Sequence, residues 1–236
     1  MSSAIEIWEA AILPFLLNSA ETWISLGKVG INILNEIHDQ FLWKILKISK
    51  SCPKPLMYFD LGQKLMKYRV MKKKLLFVHH LSQLEKDSIP FLLYNEQKLK
   101  NLPGLLFEVK DMLNNLSMTL SMMEKYTKKQ WKTYVSGEID RLNETEILEM
   151  TKTYKKIDYN VLKDEQCVIQ DYMMNLKYDD AILKFRLRAD MVQTVKCHWK
   201  NDPQYEADGW SCWHCPATDQ TTHIQQCSEY ANMRKD

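Results

Sequence analysis

Residues 29–47 read VGINILNEIHDQFLWKILK, and Leu34, Ile37, Phe41 and Ile45, with Ile48 just beyond, recur at intervals of three and four. Side chains at that spacing share one face of a helix, so the stretch predicts an amphipathic helix from about Val29 to Lys47 with its apolar stripe turned to a core. The same period recurs on either side. Towards the N-terminus, Ser3 and Glu6 have the spacing of a capping box, which predicts a helix from about Ser3 toward Asn18, bent or restarted near Pro14. Towards the C-terminus, the loop Ser49 to Pro55 precedes a short helix, Leu56 to Leu61, closed by Gly62. A long basic helix is expected over Gln63 to Leu81, a Ser88-capped one to about Lys98, and another over Leu105 to Leu116 after the Pro103-Gly104 turn. Ser121 with Glu124 and Asn143 with Glu146 each have capping spacing and predict two further helix starts. Val161 to Leu176 and an Asp179-capped helix carrying Ile182, Phe185, Ala189, Val192 and Val195 complete the series.

The composition agrees with an all-α chain. Six glycines and seven prolines in 236 residues are few, while the 45% hydrophobic content is ample for a core. The organisation expected is a multi-helix body over residues 1–200 and a small zinc module over 201–236, entered through the polar stretch Asn201 to Gly209.

That module rests on Cys212, Cys215, His223 and Cys227, which form C-x2-C-x7-H-x3-C. Three thiolates and an imidazole suit tetrahedral zinc, and four protein ligands leave no open position, so the ion is expected to be structural. His223 and Cys227, four apart, share a helical face. His214 competes as a ligand in the same turn, and the competing reading of the whole set is ordinary small residues in a tail. Cys197-His198 lies far from Cys212 and is set aside.

Charge is unevenly spread. Residues 41–80 hold ten lysines and arginines against Asp60 alone, a net charge of +9, whereas residues 1–40 carry −4. Lys44, Lys47, Lys50, Lys54, Lys64, Lys67, Arg69, Lys72, Lys73 and Lys74 supply enough charge to track several nucleic-acid phosphates. On a helical wheel Lys67 and Lys74 share a face while Arg69 and Lys73 point elsewhere, so part of the run is expected to be solvated exterior. Lys125, Lys128, Lys129 and Lys132 surround Trp131 further on.

Several other features take bland readings. Tyr178-Asp179-Asp180 lacks the spacing and the apolar strands of a polymerase carboxylate pair and reads as a helix start. His79-His80 reads as packing. Residues 10–17 resemble a signal-peptide core, but Glu6 and Glu9 precede them and no Lys or Arg does, so secretion is rejected. Scattered Cys52, Cys167 and Cys197 fit reduced thiols, an intracellular chain in nucleus or cytoplasm, and chance sequons at Asn115 and Asn143. No apolar run approaches the roughly 20 residues that span a bilayer. No Gly-rich phosphate loop or nucleophile elbow is present.

The stretch Glu9-Ala10-Ala11-Ile12-Leu13-Pro14-Phe15-Leu16-Leu17-Asn18-Ser19-Ala20-Glu21-Thr22-Trp23 resembles the segment just after the catalytic core of non-LTR (LINE-like) retrotransposon reverse transcriptases. Ser51-Cys52-Pro53-Lys54 through Leu61-Gly62, then Tyr68-Arg69 and Lys72-Lys73-Lys74-Leu75-Leu76-Phe77, resemble the thumb-adjacent region. Phe185-Arg186-Leu187-Arg188 leading to Cys212, Cys215, His223 and Cys227 resembles the CCHC zinc knuckle. The resemblance implies that palm and catalytic aspartates lie upstream, so no enzymatic activity is expected of this chain. It also implies RNA or DNA as partner, with the missing polymerase domain as a second one. Lys64, Lys67, Arg69, Lys72, Lys73, Lys74 and the stacking residue Trp213 are then the candidate nucleic-acid contacts, though Trp210 and Trp213 equally suit the cover of a small metal core. The competing class is a helical protein-interaction module derived from a retroelement, with a purely structural zinc site.

Overall fold

The computed structural model describes residues 2–24, 26–48, 50, 52–153 and 166–189. Those residues are mostly helical with no strand among them, as the sequence reading expects. The zinc ligands, Trp210 and Trp213 lie outside the described residues, as do Val192, Val195, Cys197 and His198.

Helix α1 (Ser2–Ile7) runs into a π-helical segment (Trp8–Ile12) and then α2 (Leu13–Leu16). Pro14 has no N–H to give to an earlier carbonyl, and the helix widens in the turn before it, where Leu13 N–H reaches back to Trp8 O. The bend expected near Pro14 is thus a π turn. It brings Trp8 into the core, stacked on Phe41 at 4.5 Å and on His38 at 4.9 Å.

After a 3-10 turn (Ala20–Thr22) come α3 (Lys28–Leu46), α4 (Lys54–Asp60) and α5 (Met66–Ser82). The buried face of α3 is not the expected stripe. Leu34, His38, Asp39, Leu42 and Leu46 face inward, Ile37 is exposed, and Phe41, Ile45 and Ile48 flank the core half-buried. Two polar residues with internal partners rotate the face, and hydrophobicity alone does not register them. Tyr58 OH donates to Asp39 Oδ1 at 2.8 Å, and His38 Nε2 meets Gln63 Oε1 at 3.2 Å.

Gly62 follows α4 at φ 59°, and a Cβ there would lie 2.7 Å from Ile169 N and 2.8 Å from the Val168 carbonyl carbon. The backbone of residues 168–170 passes directly over it, with an isolated bridge pairing Leu61 with Ile169 and Gln170 N–H donating to Asp60 O. The helix expected over Val161 to Leu176 is, over its described part, this extended segment followed by a short α10 (Asp171–Asn175).

Helices α6 (Ile89–Lys100), α7 (Leu105–Asn115) and α8 (Leu120–Met123) lead to α9 (Lys128–Thr151), and α11 (Tyr178–Arg188) ends the described chain. Both capping boxes expected here are displaced. Thr119 caps α8, and Thr127 with Gln130 forms the box of α9, so Ser121 and Glu124 do not start a helix. Asn143 does not either: it sits inside α9, 3% exposed. Its Oδ1 accepts from Leu65 N at 2.9 Å, and its amide reaches Gln63 O, satisfying backbone groups at the entrance to α5 that α5 itself cannot. Lys177 rather than Asp179 occupies the N-cap of α11, and both aspartates lie in its first turn.

Helix α5 is the hub, packing against α3, α6, α7, α9 and the 3-10 turn. Trp131 of α9 is fully buried on it, stacked against His79, with its indole N–H donating to Leu75 O at 3.1 Å. A residue as large as tryptophan removed from water contributes several kcal/mol, and Trp131 has no solvent exposure at all. No helix among the described residues is long and apolar enough to cross a membrane.

Candidate nucleic-acid interface

A helix at the centre of a bundle cannot carry unpaired ammonium groups, because burying a charge without a partner is costly. The basic helix α5 resolves this by drawing carboxylates from the helices around it. Arg69 forms a bidentate pair with Glu9, at 2.6 and 2.9 Å, and its side chain is 11% exposed. Lys74 pairs with Glu108 of α7 at 2.5 Å, Lys67 with Glu146 of α9 at 2.5 Å, and Lys64 with Asp140 of α9 at 2.6 Å. Lys73 donates to Leu17 O at 2.9 Å and lies 3.6 Å from Glu21.

The local charge of +9 is therefore largely neutralised by residues distant in sequence. Lys74 in particular, 2% exposed, is a core residue. Arg69 holds the π segment to α5. Glu9 and Glu108, distant in sequence, thus engage two of the residues that the sequence offers as phosphate contacts. The shared wheel position of Lys67 and Lys74 does not make a common surface either, because α5 is covered at one end of that line and open at the other.

Lys72 is the exception. It has no carboxylate within ion-pair distance among the described residues. Partial burial, then the nearby charges of Lys64, Lys132 and Arg69, hold its pKa below the usual lysine value against the opposing pull of Asp140. Lys64, just before α5, and Lys132 of α9 thus both act on Lys72 where the two helices pack together. Lys132 is exposed, as are Lys128 and Lys129 at the start of α9. The clue available in the sequence was the cluster around Trp131, since the burial of that ring turns its lysine neighbours outward.

A second cationic area lies at the C-terminal end of α3, where Lys50 and Lys54 stand over the Trp43 ring at 5.9 and 5.5 Å. Lys54 also reaches the buried Asp39, at 2.6 Å. The remaining sequence candidates have structural roles. His79 meets Tyr126 O at 2.9 Å, and no group of three or more metal-ligating side chains occurs among the described residues. Asp179 is exposed and 3.6 Å from Lys47. Cys52 and Cys167 are free thiols, both pushed up to about 12, first by burial and then by carboxylates, with Asp60 acting on Cys52 and Glu144 and Asp60 on Cys167. Neither is a ready nucleophile.

No family model matches the chain, and no curated protein or solved structure does.

Proposed function

We propose that this chain binds nucleic acid through the cations its own carboxylates leave unneutralised, and that it corresponds to the non-catalytic, post-palm part of a non-LTR retrotransposon reverse transcriptase, acting inside the cell. The observation that carries the reading is the placement of Lys72 and the exposed Lys132, neither with an ion-pair partner among the described residues, where α5 packs against α9. Like charges held close together cost free energy in the unliganded state, and a phosphate backbone would relieve that cost while releasing its counterions. Lys67, 45% exposed, can exchange Glu146 for a phosphate, whereas Lys74 and Arg69 serve the fold. The resemblance of Glu9 to Trp23, of Ser51 to Phe77 and of the Cys-Cys-His-Cys sequence to that family supports the class. Within it Cys212, Cys215, His223 and Cys227 would hold one structural zinc ion, for which three thiolates and an imidazole are a fitting donor set, and Trp213 would stack on a base. RNA and DNA are the partners, with the upstream polymerase domain as a further one. No residue is assigned a catalytic role.

Exposed apolar side chains on α6 and α7, Ile89, Leu92, Leu93, Leu99 and Phe107, favour a second reading, a helical protein-interaction module. Filter binding of the purified chain to single-stranded RNA at low salt tests the first. Binding that weakens steeply with salt supports it, and absence of binding at low salt overturns it in favour of the second.

A further inference from the structure

Lys44, Lys47, Lys50 and Lys54 fall within eleven residues, and no acidic residue occurs between Asp39 and Asp60. Lysines near a helix C-terminus are often explained by the free carbonyls there. At the end of α3 most of those carbonyls already have partners. Ile45 O accepts from Tyr178 OH at 2.6 Å, Lys47 O from the Arg186 guanidinium at 2.6 Å, and Trp43 O from Ile48 N–H at 3.1 Å. Arg186 adds a further positive charge to the same end.

Carboxylates account for two of the four lysines. Lys54 is held by buried Asp39, and Lys47 lies 3.6 Å from Asp179 in a pair exposed on both sides, which contributes little in water. Lys44 and Lys50 are exposed and have no carboxylate partner among the described residues. Lys47 also adopts φ 47°, the left-handed conformation in which a helix usually ends on glycine. That placement sets its ammonium 4.7 Å from the centre of the Tyr178 ring. Cations and aromatic rings therefore alternate around one helix end: Lys50 and Lys54 with Trp43, Lys47 with Tyr178.

We infer that the C-terminal end of α3 is a second binding patch, specific for single-stranded nucleic acid, in which Lys44 and Lys50 contact phosphates and the half-buried Trp43 ring and the Tyr178 ring take stacked bases as Lys50 and Lys47 swing from them to the phosphates. Alternation of backbone cations and aromatic faces suits a strand whose bases are unpaired, since a duplex leaves no base face to stack on. The inference rests on the reading of the chain as a nucleic-acid binder, but on residues apart from the α5–α9 seam.

The test is fluorescence anisotropy with a labelled oligo(U) 20-mer across a salt series, using the full chain, Lys44→Gln/Lys50→Gln and, as comparator, Lys72→Gln/Lys132→Gln. Each lost contact to a single strand flattens the log–log salt slope by about 0.7, so from 50 to 200 mM salt the Lys44→Gln/Lys50→Gln protein should lose about 7-fold less affinity than the unaltered chain. The emission of Trp43, taken as the difference between the chain and its Trp43→Phe variant, should change on adding oligo(U) and not on adding an RNA duplex of equal length. An unchanged slope in Lys44→Gln/Lys50→Gln, with a flattened slope in the comparator, overturns the patch and leaves the seam standing. No binding of oligo(U) by the unaltered chain overturns both.

Discussion

The Lys74 ammonium lies 2.5 Å from a Glu108 carboxylate oxygen, with 2% of the lysine side chain exposed, so a residue that belongs to the most basic run of the sequence is part of the hydrophobic interior. Replacing it by Gln removes this ion pair from the interior, where Glu108 is 22% exposed. Lys74→Gln should cost about 1–3 kcal/mol in urea unfolding, while Lys74→Met/Glu108→Leu should recover most of that loss. A Lys74→Gln protein as stable as the original would show that the pair is not formed in solution.

Asn143 supplies a second internal connection. Its side chain takes the Leu65 N–H and reaches Gln63 O, joining the middle of α9 to the start of α5. Asn143→Ala strands a buried N–H, and a loss of about 1–3 kcal/mol is expected in the same unfolding measurement. At 3% exposure the Asn143 sequon is also closed to glycosylation in the folded chain.

The contrast between these residues and their sequence signals shows what could be read in advance. The helical class, the Gly62 stop, the Pro103-Gly104 turn and the span of α3 follow from local period and turn chemistry, which act within a few residues. Asn143 carried a correct local signature for a helix start, and tertiary context overrode it: an amide that can cap a helix can equally serve another helix's backbone across the core. The buried face of α3 lies about one residue off its apolar stripe for a similar reason, because His38 and Asp39 are buried with Gln63 and Tyr58, residues 25 and 19 positions away. Charge summed along the chain does not see Glu9, Glu108, Asp140 or Glu146 arriving from elsewhere, so it does not tell which of these cations already have a partner. Lys72 and Lys132, without ion-pair partners among the described residues, belong in the sequence to two unconnected clusters.

His38 makes stability pH-dependent in a defined direction. Burial, then the nearby Arg69 charge, lowers its pKa to about 3 from an ordinary 6.5, despite the Gln63 hydrogen bond. The unfolded chain therefore binds a proton that the folded chain refuses. This stability is present above about pH 6.5 and declines as pH falls toward 3, by up to about 1.4 kcal/mol per pH unit from this group. His38→Phe should flatten that part of the urea stability profile. An equally steep decline in the variant would assign the acid sensitivity to other groups.

For the zinc proposal, elemental analysis of the purified chain should find one zinc ion per molecule, and Cys212→Ala/Cys215→Ala should lose it while the far-UV helical signal of the body persists. Absence of zinc from the unaltered chain, or full retention by the double variant, would contradict the quartet.

Two double substitutions with the same change in formal charge separate cations on the surface from cations in the fold. Lys72→Gln/Lys132→Gln removes charge from the α5–α9 seam, and Arg69→Gln/Lys74→Gln removes it from the buried partners of Glu9 and Glu108. The decisive measurement is the slope of RNA affinity against salt for both proteins, at a temperature where each is fully folded. The seam variant should flatten the slope by about 1.4 and the interior variant should leave it within error while unfolding at lower urea. Equal slopes in the two variants, or a flatter slope in the interior one, would contradict the claim that placement rather than charge count determines where phosphates bind.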